Sequence, residues 1–276
     1  MVAVLAATHD FPTSSIKMGK RLAMIGLRWN QVISAAFIAA ACFVVAPRAS
    51  ASVVVDGTRV VYLAAKREVT IRVRNAGDAP SLVQAWLDTG DPHSKPGESK
   101  VPFVLTPPLF RLDPTKVQSL RLVYTHDPLP EDHESLFWLN VLDIPPRTAA
   151  NPDLPNQLEL AFKHRMKVFF RPAHLPGSAA DAPGQLSWKL VSENGRLVAI
   201  EVSNPTAFHV SLTQLIATAQ GHSVTIKADM VDPSASRRFD LPDPVAAPVG
   251  AVAIQYWFVN DYGGNVEASA AASSVR

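Results

Sequence analysis

Residues 157–171 read QLELAFKHRMKVFFR. Leu158, Leu160 and Phe162 fall on one face, interleaved with Glu159, Ala161 and Lys163. Successive side chains of a strand point to opposite faces, so this spacing of two describes a strand and not a helix. Alternation alone would describe an ordinary core strand. Two features set this one apart. It is long, where strands more often run about five or six residues. It also ends in a dense basic group, Lys163, Arg165, Lys167 and Arg171, which is costly to bury unless paired. A strand apolar at one end and cationic at the other suggests that a partner strand with a terminal carboxylate lies along it. Strict alternation sets Lys167 on the face opposite Phe162, so a twist or bulge is expected between them.

The same period runs outward in both directions. Val69, Ile71 and Val73 alternate with Thr70, Arg72 and Arg74; Leu82 and Trp86 mark another strand, and Leu120, Leu122 and Tyr124 a further one. Residues 135–141 (SLFWLNV) are apolar on both faces, as expected of a central strand. Prolines 107, 108, 114, 128, 130, 145 and 146 punctuate these runs and forbid long helices. Residues 171–184 (RPAHLPGSAADAPG) lack alternation and read as a domain boundary. Beyond them, strand patterns at 186–191 and 196–202 flank Asn194-Gly195, a strong hairpin signal. Strand-like runs follow at 210–217, 224–228 and 252–259. The fold class expected is all-β, with two β-sandwich domains over residues 52–170 and 186–276 joined by a linker at 171–185. The tail after Gly264 (NVEASAAASSVR) is poor in large apolar side chains, which leaves a last strand there open.

Composition agrees with a folded, exported protein. Of 276 residues 47% are hydrophobic and 18% charged, well away from a disordered composition. The first 51 residues read as a secretory signal. Lys17, Lys20, Arg21 and Arg28 precede an apolar run over 32–46, and Ala49-Ser50-Ala51 supplies a cleavage pattern. Cleavage is expected after Ala51, with translation starting at Met1, Met18 or Met24. A lipid anchor on Cys42 is the competing reading, but Ala39 stands where such sites favour Leu, and apolar residues continue past the cysteine. Cys42 is the only cysteine, so the mature chain must be stable without a disulfide. Its basic and acidic residues then number 21 against 23, which offers no positive field for nucleic acid. No later apolar run is long enough to insert the mature chain in a membrane.

Catalytic signatures are missing: there is no G-x-S-x-G, H-E-x-x-H, G-x-G-x-x-G or phosphate-binding loop. His126 and His133 flank an acidic turn with Asp127, Glu131 and Asp132. Surface histidines near acids are more often solvated than ligating, so no metal and no cofactor are expected.

Several motifs together carry a family resemblance. They are residues 58–62 (TRVVY), 82–86 (LVQAW), 106–114 (TPPLFRLDP), 134–140 (ESLFWLN), 144–146 (IPP) and 167–172 (KVFFRP). In the second half 204–206 (NPT) and 260–264 (NDYGG) continue the series. In this order and spacing the chain resembles the periplasmic pilus chaperones of the chaperone–usher pathway, the PapD-like proteins. The resemblance implies two immunoglobulin-like domains set at an angle, with a cleft between them. It implies that Arg59 and Lys167 anchor the C-terminal carboxylate of a pilus subunit. It gives Leu158, Leu160 and Phe162 the role of a donor strand that fills the groove of an incomplete pilin, a form of strand addition. Glu134, Arg171 and Asp261 would form an ion network fixing the angle between the domains. The partners implied are pilin subunits and an outer-membrane usher, the compartment is the periplasm, and no enzyme activity is implied. His133 stands where the family commonly has arginine. The short connection between Pro146 and Gln157, with no cysteine pair, resembles the short-loop branch. The rival readings are a pilus subunit or adhesin, expected to be one incomplete sandwich with a disulfide, and an exported carbohydrate-binding module or hydrolase, expected to show an aromatic platform or paired carboxylates. Trp188 and Trp257 lie on patterned strands and read as core instead.

Overall fold

A computed structural model describes residues 53–146, 159–219, 221–246 and 251–273. The expected signal with Cys42, the connection before Gln157, and Leu158 lie outside these residues. The described chain is almost entirely β, relieved by one 3₁₀ turn at Ala182–Gln185. No helix in it is long and apolar enough to cross a membrane.

Among the described residues the first sandwich is built from nine strands. They are β1 (Val53–Val55), β2 (Arg59–Leu63), β3 (Val69–Asn75), β4 (Ser81–Asp88), β5 (Phe103–Thr106), β6 (Leu109–Leu112), β7 (Val117–Tyr124), β8 (Ser135–Ile144) and β9 (Phe162–Arg171). One sheet runs β1-β3-β7-β5 and the other β2-β9-β8-β4-β6. Each contributes one apolar face to a common core: Ile71, Val73, Leu120 and Leu122 from the first, Tyr62, Val83, Leu139, Val141 and Val168 from the second. Leu139 and Val141 lie in β8, which is central in its sheet, flanked by β9 and β4.

The second sandwich comprises β10 (Ser187–Glu193), β11 (Arg196–Asn204), β12 (Val210–Ala219), β13 (His222–Lys227), β14 (Met230–Val231), β15 (Ala235–Ala246), β16 (Ala251–Val259) and β17 (Asn265–Ser273). The order is β13-β12-β16-β17-β10-β11-β15, with β17 and β10 joined by a single parallel pair, Lys189 with Ser273. Asn194 and Gly195 both have positive φ, 50° and 75°, and turn the β10–β11 hairpin with Glu193 opposite Arg196. The alanine-rich tail does form a strand: β17 pairs with β16 from Asn265 to Ser273. Leu175, Ala179 and Ala182, from the stretch read as a linker, pack on the second core, and the Tyr256 hydroxyl donates to the Pro183 carbonyl. Trp188 packs on this core at its edge, and Trp257 is half-buried.

Two expectations about residues 157–171 need correction. The strand begins at Phe162, where its ladder to β8 ends: Asp143 pairs with Phe162, and residues 159–161 have no ladder partner among the described residues. No bulge separates Phe162 from Lys167, since the β8–β9 register is unbroken from Ser135–Phe170 to Asp143–Phe162.

Strand β2 is held from inside. The Tyr62 side chain is 1% exposed, its hydroxyl faces the Lys66 and Arg67 carbonyls at 3.1 and 3.0 Å, and it accepts from the Tyr124 amide at 3.1 Å. Tyr62→Phe should leave that half-buried amide without its acceptor and cost about 1 kcal/mol, read as a lower denaturation midpoint with an unchanged m-value.

Candidate functional site

Strand β9 changes neighbourhood half-way along. Its last five residues lie between β8 and β2, with Arg59 opposite Lys167 and Leu63 opposite Arg171 in parallel register. Its first five, 162–166, pair with β8 alone; among the described residues no strand takes their other edge. That edge presents unpaired backbone donors and acceptors, as any sheet edge does.

Alternation sorts the side chains. Met166, Val168 and Phe170 point into the first core. Phe162 belongs to the same face but projects beyond the core and is 47% exposed; Leu160, just before the strand, is 53% exposed. The other face carries Lys163, Arg165, Lys167, Phe169 and Arg171. The two properties read from the sequence therefore use two faces of one regular strand, and no bend is required.

Three of the four cations on that face are already engaged. Lys163 Nζ donates to the Pro92 carbonyl. Arg165 donates to Asp88 Oδ1 at 2.7 Å, with its guanidinium 4.1 Å from the Trp138 ring centroid. Arg171 donates through Nε to Glu134 at 2.6 Å and makes two bonds to Asp261 at 2.7 and 3.0 Å, the fork geometry suited to a carboxylate. Lys167 has no hydrogen bond or ion pair among the described residues; its ammonium lies 5.6 Å from the Trp138 ring. Burial lowers its pKa; Asp229 opposes this, while repulsion from Arg59 adds to it.

Arg59, on the neighbouring strand and the same face, donates to the Val259 carbonyl at 2.8 Å, and its buried Nε has no partner among the described residues. Burial lowers its pKa, with Asp261 and Glu134 pulling the other way. Arg59 lines a cleft of about 350 Å³ between the two sandwiches, with Phe169, Arg171, His209, Ser211 and Asp261 among its walls.

The Glu134–Arg171–Asp261 triad spans that cleft, joining β8 and β9 to the turn after β16. Burial works against the Arg171 charge, yet its bonds to Asp261 and the neighbouring Glu134 outweigh it and raise its pKa. His209 completes the triad and gave no signal in the sequence. Its amide donates to Glu134 Oε2 at 2.8 Å, its ring lies 3.3 Å from the same oxygen, and it packs on Phe169. The turn 260–264 is pinned by the Asn260 carboxamide, which accepts from the Tyr262 and Gly264 amides. Gly263, at φ +83°, comes so close to the first sandwich that a β-carbon there would overlap the Thr58 hydroxyl. Among the described residues no three His, Cys, Asp or Glu side chains are grouped to hold a metal; His133 pairs with Asp132.

Residues 52–176 match the family model described as the pili and flagellar-assembly chaperone, PapD N-terminal domain, and 181–270 that of the pili assembly chaperone PapD, C-terminal domain. The chain belongs to the PapD-like pilus-assembly chaperones. Among these chaperones it is 40% identical over 242 residues to the chaperone protein FimB/FhaD of Bordetella pertussis, covering 86% of this chain and 95% of that one. The crystal structure of the YadV chaperone, a probable fimbrial chaperone of Escherichia coli K12, superposes with a TM-score of 0.68 at 34% identity, over 80% of this chain and all of that one. A complex of the Salmonella enterica SafA pilin with the SafB chaperone contains a chain matching at 29% identity and a TM-score of 0.64, over 81% of this chain and 98% of that one. PapD-like proteins are chaperones, and neither a single-sandwich subunit nor a carbohydrate module accounts for matches over both halves.

Two substitutions on one face of β9 should act in opposite ways. Arg171→Met takes the guanidinium from buried Glu134, leaving it only His209, and should cost about 3–5 kcal/mol. Lys167→Met removes a desolvated cation with no internal partner, and chemical denaturation should show stability unchanged or raised. For Asp88, burial alone would raise the pKa, but bonds from Asn140, Arg165, Gly90 and Ser94 hold it below the ordinary 3.8. Its contribution to stability is therefore present above pH 3.8 and lost as pH falls through the lower folded value. Asp88→Asn should flatten that part of an acid-unfolding curve.

Proposed function

We propose that this protein is a periplasmic chaperone that binds and caps pilus subunits by donor-strand complementation and delivers them to an outer-membrane usher. The observation that carries this reading is the open edge of β9 at 162–166, which ends where Arg59 faces Lys167. Strand β2 runs parallel to β9 and begins at Arg59. A guest strand laid in the open edge, end to end with β2 and running the same way, would finish beside Arg59 and Lys167. Its terminal carboxylate would meet two cations, one held in place by Val259 and the other unclaimed. Charge-assisted bonds of this kind are about twice as strong as neutral ones.

Backbone ladder bonds along 162–166 would give affinity for any extended guest, and the exposed side chains would select among them. Leu160 and Phe162, with Leu158 before them, would fill a groove left open in the subunit. They extend the row of Met166, Val168 and Phe170, so the chaperone's own core face passes into its guest. The SafA–SafB complex, a pilin bound to a chaperone, supports pilin as the guest. The triad of Glu134, Arg171 and Asp261 would hold the angle between domains 52–170 and 186–276. Buried ion networks are better suited to specifying geometry than to adding stability. No bond is made or broken, and no cofactor enters. Export would use the leader ending at Ala51.

Periplasmic extracts should yield the protein bound to a pilin, identified by mass spectrometry. A short peptide of alternating Val and Thr should bind the purified chain about 10- to 100-fold more tightly with a free C-terminal carboxylate than with an amide. Arg59→Met with Lys167→Met should remove that preference and stop subunits accumulating while the chaperone stays folded. Equal binding of acid and amide, together with normal pilin levels in the double variant, would refute the reading.

A further inference from the structure

The face of β9 that carries Lys167 also carries Arg165, two residues earlier and inside the open edge. Both are cations on the same side of the same strand, and both could accept a guest carboxylate. A guest that ended at Arg165 would slip by two residues, which keeps every side chain on its proper face and so meets no opposition from alternation. Something must tell the two cations apart.

The difference lies in Asp88, at the end of β4. Its side chain is fully buried, and both oxygens are fully used. Oδ1 accepts from the Gly90 amide at 2.6 Å and from Arg165 at 2.7 Å. Oδ2 accepts from Ser94 at 2.9 Å and from Asn140 at 2.6 Å. Trp86 donates to Ser94 in turn, so the loop after β4 is closed over the carboxylate. Arg165 reaches this acceptor by lying across the Trp138 ring, away from the open edge. The same loop supplies the Pro92 carbonyl to Lys163. Both cations within the open edge are thereby occupied, and Lys167, just beyond it, is not.

Building on the donor-strand reading above, we propose that Asp88 is a positioning residue that sets the register of the guest strand. By sequestering Arg165 it leaves Lys167, with Arg59, as the only landing point for a guest carboxylate on this face. A carboxylate buried behind two strands thus determines where a ligand it never touches must stop.

The test follows register directly. A nitroxide on the alternating Val/Thr acid peptide and a second on an exposed residue of the first sandwich give a distance by pulsed electron resonance. The unmodified chain should give one distance. Asp88→Asn, which frees Arg165, should give a second population displaced by two residues, about 7 Å. Adding Arg165→Gln to Asp88→Asn should restore the single distance, a rescue that general loosening of the fold would not produce. Lys167→Met provides a check that leaves Asp88 intact. With Arg165 still engaged, the preference for acid over amide should fall about tenfold without a change of register. A single unshifted distance in Asp88→Asn overturns the proposal, and so does a two-residue shift in Lys167→Met. If the unmodified chain does not prefer acid to amide, the donor-strand reading fails and takes this inference with it. If it does prefer the acid and Asp88→Asn keeps one register, only the role of Asp88 fails.

Discussion

Strand β9 is interior to its sheet over half its length and an edge over the other half, because β2 starts at Arg59 and does not continue alongside 162–166. Everything distinctive about the first sandwich depends on that offset. An exposed, apolar edge is a liability in a secreted protein, since it templates pairing with any extended chain. Here the exposure is short and fully extended, fixed on its other side by an unbroken ladder to β8. The apolar side chains at its entrance lead into the sandwich core, while the cations turn to the opposite face. On the donor-strand reading, an incoming strand would meet a surface continuous with a folded interior.

Charge placement on the far face is equally selective. Lys163, Arg165 and Arg171 each have an acceptor from the protein itself, and the arrangement around Glu134 and Asp88 leaves little spare acceptor capacity nearby. Lys167 is desolvated and repelled by Arg59, with Asp229 opposing the effect. On the donor-strand reading proposed above, it is the cation kept for an incoming anion, whereas Arg171 is engaged within the protein.

Much of this was legible in the sequence, and the rest was hidden for identifiable reasons. The period of two over 69–74, the doubly apolar run at 135–141 and the Asn194-Gly195 turn report local preferences that the tertiary structure does not override. Leu160 and Phe162 could be read as paired on one face because alternation needs no knowledge of neighbours. The true start of β9 could not, since it is where the ladder to β8 ends, a fact that involves another segment. The tail at 265–273 looked weak because alanine and serine carry little strand preference, yet its ladder to β16 runs its whole length. Asp88 has the same parity as Leu82 and Trp86, with nothing to mark it as buried. His209 was invisible for a similar reason: a lone histidine acquires meaning only when the fold brings Glu134 beside it.

Gly263 sits against Thr58, one residue before Arg59. A β-carbon there would overlap the Thr58 hydroxyl, and the positive φ of +83° is one that side-chain-bearing residues rarely adopt. A larger residue at 263 therefore has to turn Thr58 aside and carry backbone strain as well. The snug fit of this turn on the first sandwich rests on a side chain that is missing.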